Sequence, residues 1–241
     1  MTTSFSPQTL RAWSELSLQS ARIVLPTVLA LTQPRSVIDV GCLFGAWADA
    51  CRELGVDDVV GVDGDYIDRG ALLIPESSFV AHDLAQPLHV GRTFDLAINL
   101  EVANTLPETR ADGLIAELCA LAPAVLFSAG IPHQGGGSAI VNEQWPAYWA
   151  GRFAAHGYTG VDCVRDEVWE DPRVGRWYAQ NTLLFVAPDA CSAPIRQHCG
   201  FGRCPARVHP AQYLTYANGR YQVVRRRAGE VAASLRRRLP G

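Results

Sequence analysis

The sequence contains no lysine, and all 21 of its basic residues are arginine. This absence excludes catalysis through a lysine Schiff base or a lysine general base. The sequence also lacks an apolar run of about 18 residues, so we expect no transmembrane helix. The N-terminus has neither the basic segment nor the apolar core of a secretory signal, which predicts a cytoplasmic protein.

Charge is unevenly distributed along the chain. Seven of the arginines lie between Arg220 and Arg238, where Glu230 is the one acidic residue, although the net charge is −3. The rest of the chain is therefore acidic, which argues against a nucleic-acid-binding core. A solvated helix end is the simpler interpretation of the arginine cluster, and binding to anionic lipid, RNA or an acidic partner is the alternative.

The seven cysteines are scattered through mostly apolar segments. Their odd number and irregular spacing argue against a disulfide framework, and Cys42, Cys51, Cys119 and Cys163 are predicted to be small buried residues. Cysteines and histidines are enriched after residue 188, but their spacing does not match that of zinc sites, so we predict no bound metal. These residues are Cys191, His198, Cys199, Cys204 and His209.

The pattern of apolar segments predicts the fold class. Short apolar strands alternate with helices between residues 34 and 187, and this pattern is typical of a parallel, doubly wound α/β sheet. We expect a helical segment over residues 1–33 and an extension over 188–241, with the last two strands pairing as a hairpin at the sheet edge. The expected strands are Ser36–Val40, Asp58–Asp63, Ser78–Asp83, Phe94–Leu100, Ala124–Gly130, 158–164 and Asn181–Ala187, and helices are expected over 7–31, 45–55, 108–121 and 143–155.

Acidic residues and glycines mark the ends of the first three strands, where such sheets bind ligands. Asp39 precedes Gly41 and Gly45 in "DVGCLFG", a spacing that differs from the dinucleotide motif G-x-G-x-x-G. An acid at that place repels phosphate and favours a cationic ligand. Asp63 suits two ribose hydroxyls, and Asp83-Leu84 suits the amino group and ring of adenine. A nucleoside with positive charge, S-adenosylmethionine (SAM), fits this set of residues.

The segments "VIDVGCLFGAW", "GVD", "HDL" and "FDLAINLEVANTLPE" resemble, in this order, the motifs of class I SAM-dependent methyltransferases. The resemblance covers about residues 34–187 and implies a Rossmann-like, mostly parallel seven-stranded sheet with an antiparallel final strand. One departure is Leu43, which stands at the central glycine of the usual D-x-G-x-G-x-G. The resemblance implies that SAM is bound by Asp39, Gly41, Cys42, Gly45, Asp63, Gly64, Asp83, Leu84, Asn99, Leu100 and Glu101.

Two further segments, "VNEQWPAYW" and "WYAQNTLLF", resemble a subgroup of these enzymes that modifies sugars and natural products. That subgroup commonly has histidine before V-N-E-Q-W and E-H after L-E-V-A. Here Ile140 and Asn104-Thr105 occupy those places. Methylation of a hydroxyl usually needs a base, whereas a neutral amine or a thiolate needs mainly correct placement. The missing imidazoles therefore leave the acceptor open.

The loop Ile131–Trp149 follows the fifth strand and is expected to close over the ligand edge. His133 is either a base or an exposed loop residue. Asn142 either contacts substrate or, more simply, caps the following helix. Aromatic residues of this segment either line a cation site or form a core-facing stripe. The predicted catalytic residues are Asn142, Tyr178 and His133, and the predicted substrate contacts are Gln134, Glu143, Trp145 and Tyr148.

Three functions remain open from the sequence. The leading hypothesis is transfer of the SAM methyl group to nitrogen or oxygen of a small molecule, such as a natural product or a sugar. In the alternative, the α-amine of SAM attacks its own γ-carbon and expels methylthioadenosine, which gives azetidine-2-carboxylic acid, with Asn142 and Tyr178 orienting the amine. A SAM-binding or partner-binding module is the third. We expect no nucleic-acid partner and a monomer or homodimer.

Overall fold

The computed structural model describes residues 7–135 and 139–219. The helices and strands follow in the order α1 (Pro7–Thr32), β1 (Ser36–Val40), α2 (Ala46–Glu53), β2 (Asp58–Asp63), β3 (Phe79–Ala81), β4 (Leu96–Leu100), α3 (Ala111–Leu121), β5 (Ala124–Ser128), α4 (Pro146–Ala155), β6 (Thr159–Val161), α5 (Arg165–Val168), α6 (Arg176–Asn181), β7 (Leu183–Val186) and α7 (Ala193–Gln197). Residues 210–219 are also helical. The arginine cluster between Arg220 and Arg238 lies outside the described residues.

The strands form one seven-stranded sheet in the order β3-β2-β1-β4-β5-β7-β6. Neighbouring strands are parallel except where β7 pairs with β5 and with β6. This topology confirms the predicted doubly wound sheet with an antiparallel final strand. The last two strands do pair at one edge, but α5 and α6 separate them in sequence, so they do not form a tight hairpin.

Several element boundaries differ from the sequence-based expectation. β3 is shorter at both ends, and Asp83 therefore lies in the loop beyond it. α4 begins at Pro146 rather than at Glu143, because Trp145 is extended at the N-cap and proline favours the first helical turn. α1 continues through Pro26 as a single helix.

The core lies in two layers, one on each face of the sheet. Val37 packs in the layer that contains α1 and α2, whereas its neighbour Ile38 packs in the layer that contains α3 and α4. This alternation follows from the two-residue period of a strand, and it explains why the strands are apolar throughout. Ile195 of α7 joins the first layer, so the segment after residue 187 packs on the same sheet domain.

The segment after β7 also covers the exposed edge of β6. Asp162 N donates to Gly200 O at 3.0 Å, and Gly202 N donates to Gly160 O at 2.8 Å. The guanidinium of Arg165, which is fully buried, pairs with both carboxylate oxygens of Asp162 at 2.9 and 2.7 Å. Pairing of an edge strand in this way protects it from association with other chains. In the described part of the chain, no helix is both long and apolar enough to cross a bilayer.

Candidate functional site

A cavity of about 700 Å³ opens at the carboxyl ends of β1, β2 and β4. Its walls come from these strand ends, from α1, from the loop after β5, from α6 and from the helical residues 210–219. A volume of this size is typical of small-molecule sites. The predicted site residues that line it are Asp39, Gly41, Cys42, Asp63, Gly64, Asp83, Leu84, Leu100, Glu101, Gln134 and Tyr178.

The turn after β1 requires glycine at its first position. Gly41 has a φ of +88°, and a Cβ there would lie 2.3 Å from Cγ2 of Val102. The next position to adopt a left-handed backbone is Leu43, with a φ of +51°. Gly45 begins α2 with a φ of +84°, but a Cβ there would meet Ile74, and Gly45 does not line the cavity. Gly45 therefore serves helix packing rather than the predicted ligand contact.

Asp39 places a buried carboxyl group at the cavity wall. Its side chain is 3% exposed, and its Oδ2 has no hydrogen-bond partner among the described residues. Burial and, as a smaller effect, the nearby charge of Asp63 together raise the pKa of Asp39 to about 8. A buried carboxylate oxygen without a donor fits a cationic ligand group, because such a partner would offset the cost of burial.

Asp63 is held by three donors. Its Oδ2 accepts from Leu43 N at 2.8 Å, and its Oδ1 accepts from Gly64 N at 2.7 Å and from the Tyr66 hydroxyl at 2.6 Å. The Tyr66 ring lies over Gly64, where a Cβ would come within 2.1 Å of it. Tyr66 thus lies beside the predicted ribose site, and nothing in the sequence motif pointed to it.

Glu101 follows β4 in a left-handed conformation, with a φ of +58°. Its backbone N donates to Ser128 O at 2.9 Å. Its Oε1 accepts from Asn181 Nδ2 at 2.9 Å, and its Oε2 accepts from Gln134 Nε2 at 2.8 Å. Burial raises the pKa of Glu101 to about 7, although these donors partly counteract that effect. The side chain is therefore a positioned carboxylate that titrates near neutral pH.

A chain of amides extends from Glu101 to the C-terminal extension. Gln134 Oε1 accepts from Asn181 Nδ2 at 2.7 Å and from Gln180 Nε2 at 3.0 Å. The carbonyl of Gln134 accepts from Gln212 Nε2 at 2.6 Å, and Gln212 Oε1 accepts from Arg176 Nε at 2.9 Å. The buried pair Gln180-Asn181 within an apolar run was a usable sequence signal. Gln212 had none, since its position depends on the path of the extension.

Aromatic side chains form much of the remaining wall. Tyr178 is buried, and its hydroxyl is hydrogen-bonded to Ser17 Oγ at 2.9 Å. Its ring meets that of Trp47 edge-on, with a centroid distance of 5.1 Å. Trp13 and Trp177 line the same cavity. α1 therefore contributes to the site, which the motifs from residue 34 onward did not indicate.

Asn142 and Asn99, like Gly45, do not line the cavity. Asn142 is buried and its backbone N donates to Asn104 O at 3.1 Å, so it lies behind the wall, and its Nδ2 has no partner within the described part of the chain. The N-cap interpretation of Asn142 is wrong, because α4 starts four residues later. Asn99 is fully buried, and its Nδ2 donates to Val40 O at 2.8 Å, which ties β4 to β1.

The polar and aromatic residues of the loop after β5 mostly face away from the cavity. His133 is exposed, and the carboxylate of Glu143 accepts from His133 N at 2.8 Å and from Gly135 N at 3.0 Å. Trp145 is 45% exposed, and the Arg152 guanidinium lies 3.5 Å above the Tyr148 ring. Glu143 thus shapes the loop, and the predicted substrate contacts of Glu143, Trp145 and Tyr148 have no support in this geometry.

The sequence positions where the related subgroup has histidines do line the cavity in this protein. Thr105 and Ile140 stand at the two histidine positions, and Asn104 stands at the glutamate that precedes one of them. Within residues 7–135 and 139–219, no group of three or more His, Cys, Asp or Glu side chains is arranged to hold a metal ion. Among the described lining residues in the loops after β4 and β5, Glu101 is the one titratable group.

Comparisons with known proteins identify the fold. The chain matches the crystal structure of human N-acetylserotonin methyltransferase in complex with SAM, with a TM-score of 0.53 and 16% identity over 75% of this chain and 55% of that one. It matches DesVI of Streptomyces venezuelae with a TM-score of 0.57 and 11% identity over 75% of this chain and 96% of that one.

A third structure is magnesium protoporphyrin IX methyltransferase from Synechocystis with bound SAM, with a TM-score of 0.51 and 19% identity over 76% of this chain and 86% of that one. The chain thus spans little more than half of the human enzyme but most of the two bacterial proteins. No protein-family model matches the chain. No curated protein sequence matches it either. The chain has the fold of class I SAM-dependent methyltransferases.

Proposed function

We propose that the protein is a SAM-dependent methyltransferase that acts on a small molecule. The observation that carries the proposal is the unpartnered Oδ2 of Asp39, which is buried at the glycine turn of the cavity. SAM has an ammonium group, and a buried carboxylate of this kind stabilises such a cation. The fold shared with SAM-bound methyltransferases supports the same conclusion.

The chain's own residues provide a consistent set of contacts for this ligand. Asp39 holds the ammonium, Asp63 shares its oxygens between Tyr66 and the ribose hydroxyls, and Asp83 and Leu84 meet the adenine. When bound, SAM supplies a methyl carbon made electrophilic by the sulfonium. Gly41 lines the cavity without a side chain, so its backbone permits close approach of the methionine end. A Cβ there would also clash with Val102.

The remainder of the cavity is the acceptor site in this proposal. Its wall combines aromatic rings with amide groups, such as Tyr178 with Gln134 and Asn104. That combination suits a natural-product or sugar-type acceptor methylated at nitrogen or oxygen. Residues 34–187 would bind SAM, while α1 and the extension after residue 188 complete the wall. A cytoplasmic location, the absence of a nucleic-acid partner, and a monomeric or homodimeric state stay predictions from the sequence.

No specific observation favours the cyclisation of SAM to azetidine-2-carboxylic acid. Asn142, which was expected to orient the α-amine, is buried behind Asn104 and does not line the cavity. Tyr178 lines the cavity, but its hydroxyl is hydrogen-bonded to Ser17.

The test is an assay of SAM consumption with and without acceptors. We expect S-adenosylhomocysteine to form when the enzyme receives a panel of small amines, alcohols, phenols and thiols, and neither nucleoside product to form from SAM alone. Methylthioadenosine released over many turnovers from SAM alone would contradict methyl transfer and restore cyclisation. Binding of SAM without product across the whole panel would instead favour a binding module.

A further inference from the structure

We propose that Glu101 is the catalytic base of the acceptor site and that the acceptor binds as a protonated amine. This inference rests on the proposed methyl transfer and adds to it the residue that removes a proton and the chemical class of the acceptor. It replaces the histidines that were expected from the sequence with a carboxylate that follows β4.

The geometry around Glu101 is that of a fixed proton acceptor. Each carboxylate oxygen accepts one amide hydrogen, from Asn181 and from Gln134, and Ser128 is a third side-chain partner. Because a carboxylate can accept about four hydrogen bonds, it keeps capacity for one more donor. The two amides are joined to each other at 2.7 Å, so the carboxylate cannot rotate without breaking this triangle. Its backbone is held in a left-handed conformation, a strain that proteins retain mainly at functional sites.

The surroundings of Glu101 favour an ammonium group over other acceptors. Trp47, Trp177 and Tyr178 line the same cavity, and aromatic faces together with a carboxylate form a typical recognition site for alkylammonium ions. The negative charge of Glu101 is close enough to Tyr178 to raise the pKa of its hydroxyl, which burial already raises. A phenolate would be repelled by Glu101, whereas an ammonium ion would be attracted.

The pKa values of the acceptor ammonium and of Glu101 are compatible with proton transfer from the first to the second. Alkylammonium groups have a pKa of about 10, and burial brings the pKa of Glu101 to about 7. Proton transfer between them is uphill by about three units, a gap that general base catalysis tolerates. An aliphatic alcohol is a far weaker acid, so the same carboxylate is a poor base for it.

The step balances as follows in atoms and charges. The bound ammonium gives one proton to a Glu101 oxygen, which leaves a neutral amine beside a neutral carboxylic acid. The nitrogen lone pair then forms a bond to the methyl carbon while the carbon–sulfur bond breaks, and its electron pair stays on sulfur. The products are a methylated ammonium ion and S-adenosylhomocysteine, and Glu101 releases its proton to solvent when they leave.

The test compares wild type with Glu101→Gln and with the control Glu76→Gln, an exposed residue with the same change of charge. The probes are benzylamine, phenethylamine and cyclohexylamine, each paired with the alcohol of the same carbon frame. We expect methylation of amines but not of alcohols, and a fall in kcat/KM of at least about 100-fold in Glu101→Gln. S-adenosylhomocysteine affinity should change less than twofold, and Glu76→Gln should behave as wild type.

The pH dependence separates a base from a merely structural residue. At saturating SAM, kcat/KM for an amine should rise with pH through a limb set by the Glu101 carboxyl, whose pKa is about 7. Asp39 of β1 and Arg176 and Tyr178 of α6 line the cavity together with Glu101, and the ligand ammonium neutralises Asp39 in that complex. The substitution Glu101→Gln leaves in place the other charged or titratable groups of the wall, which are Cys42, Asp63, Tyr66, His82 and Asp83. This rise of kcat/KM with pH should be absent in Glu101→Gln. It should persist, at lower kcat/KM, in Glu101→Asp, which keeps a carboxyl.

A measurement without turnover completes the test. Carbon-13 spectra of glutamate-labelled protein should contain one carboxyl that titrates near 7 and disappears in Glu101→Gln. Calorimetry should detect amine binding to the S-adenosylhomocysteine complex of wild type and of Glu76→Gln, but not to that of Glu101→Gln. Methylation of alcohols rather than amines, an unchanged pH limb in Glu101→Gln, or no amine binding overturns the inference while leaving methyl transfer intact. Failure to bind S-adenosylhomocysteine at all would count against the proposed function instead.

Discussion

Leu43 adopts a backbone conformation that normally belongs to glycine, with a φ of +51°. Left-handed residues with a Cβ are strained by about 1–2 kcal/mol. Leu43 stands at the central glycine of the D-x-G-x-G-x-G motif that the sequence resembles, and it adds a side chain to the cavity wall at that position.

This strain predicts an inverted order of stability at residue 43. We expect Leu43→Gly to be more stable to urea than Leu43→Ala by about 1 kcal/mol, because only glycine relieves the left-handed strain. Leu54, with a φ of −91°, is the matched control at which alanine should be the more stable replacement. If the alanine variant were more stable than the glycine variant at Leu43 as well, Leu43 would not be strained.

At the level of elements, the least expected contact is the buried pair of Arg165 and Asp162. It joins the start of α5 to the end of β6, and Arg165 Nη1 also donates to Pro205 O at 3.0 Å. The pair therefore fixes the extension to the sheet edge. Removing Arg165 leaves Arg207, at 3.2 Å, as the remaining cation beside the buried carboxylate of Asp162. It also leaves the carbonyls of Gln180 and Pro205 without their donor, and loss of such a buried partner is costly.

We accordingly expect Arg165→Ala to lower the free energy of unfolding by about 3–5 kcal/mol. Arg173→Ala breaks an exposed pair with Asp171 and is the control, for which we expect little change. Chemical denaturation of both variants measures the difference. Equal stabilities would mean that Arg207, which lies 3.2 Å from Asp162, replaces the lost charge.

Elements and their order were predictable from the sequence to different degrees. The strand ends with Asp39, Asp63 and Glu101 were predictable, because a parallel sheet brings successive strand ends to one edge. The start of α4 was not, since Asn142 resembles a cap by residue type while Pro146 and the extended Trp145 decide the boundary. Local pattern thus predicted the elements better than their ends.

At the level of the whole molecule, the cavity is completed by segments distant in sequence. Ser17 of α1 and Gln212 of the extension both line it. No local motif announces such residues, because their positions depend on how α1 packs on the sheet and on how the extension is anchored. The same reason explains why Glu101 was assigned to SAM alone: its amide partners Gln134 and Asn181 meet only in the folded chain.

Gln212 offers a test of this long-range contribution. We expect Gln212→Ala to raise the KM for an amine acceptor several-fold, because Gln212 holds the backbone of Gln134, which in turn orients Glu101. S-adenosylhomocysteine affinity should stay within twofold. Gln197→Ala, an exposed change on α7, is the control. An unchanged KM would mean that the extension closes the cavity without influencing the acceptor site.

The central claim is that Asp39 binds the cationic end of SAM, and titration calorimetry with S-adenosylhomocysteine tests it most directly. In the free protein the pKa of Asp39 is about 8, so at pH 7 the carboxyl is mostly protonated and must lose its proton when it pairs with the ligand ammonium. Titrations in two buffers of different ionisation enthalpy should therefore show release of nearly one proton by wild type and by the exposed control Asp57→Asn.

The variant Asp39→Asn should bind S-adenosylhomocysteine at least about tenfold more weakly than wild type and should release no proton. Wild-type affinity and proton release in Asp39→Asn, or no binding by the wild-type protein, would contradict the account.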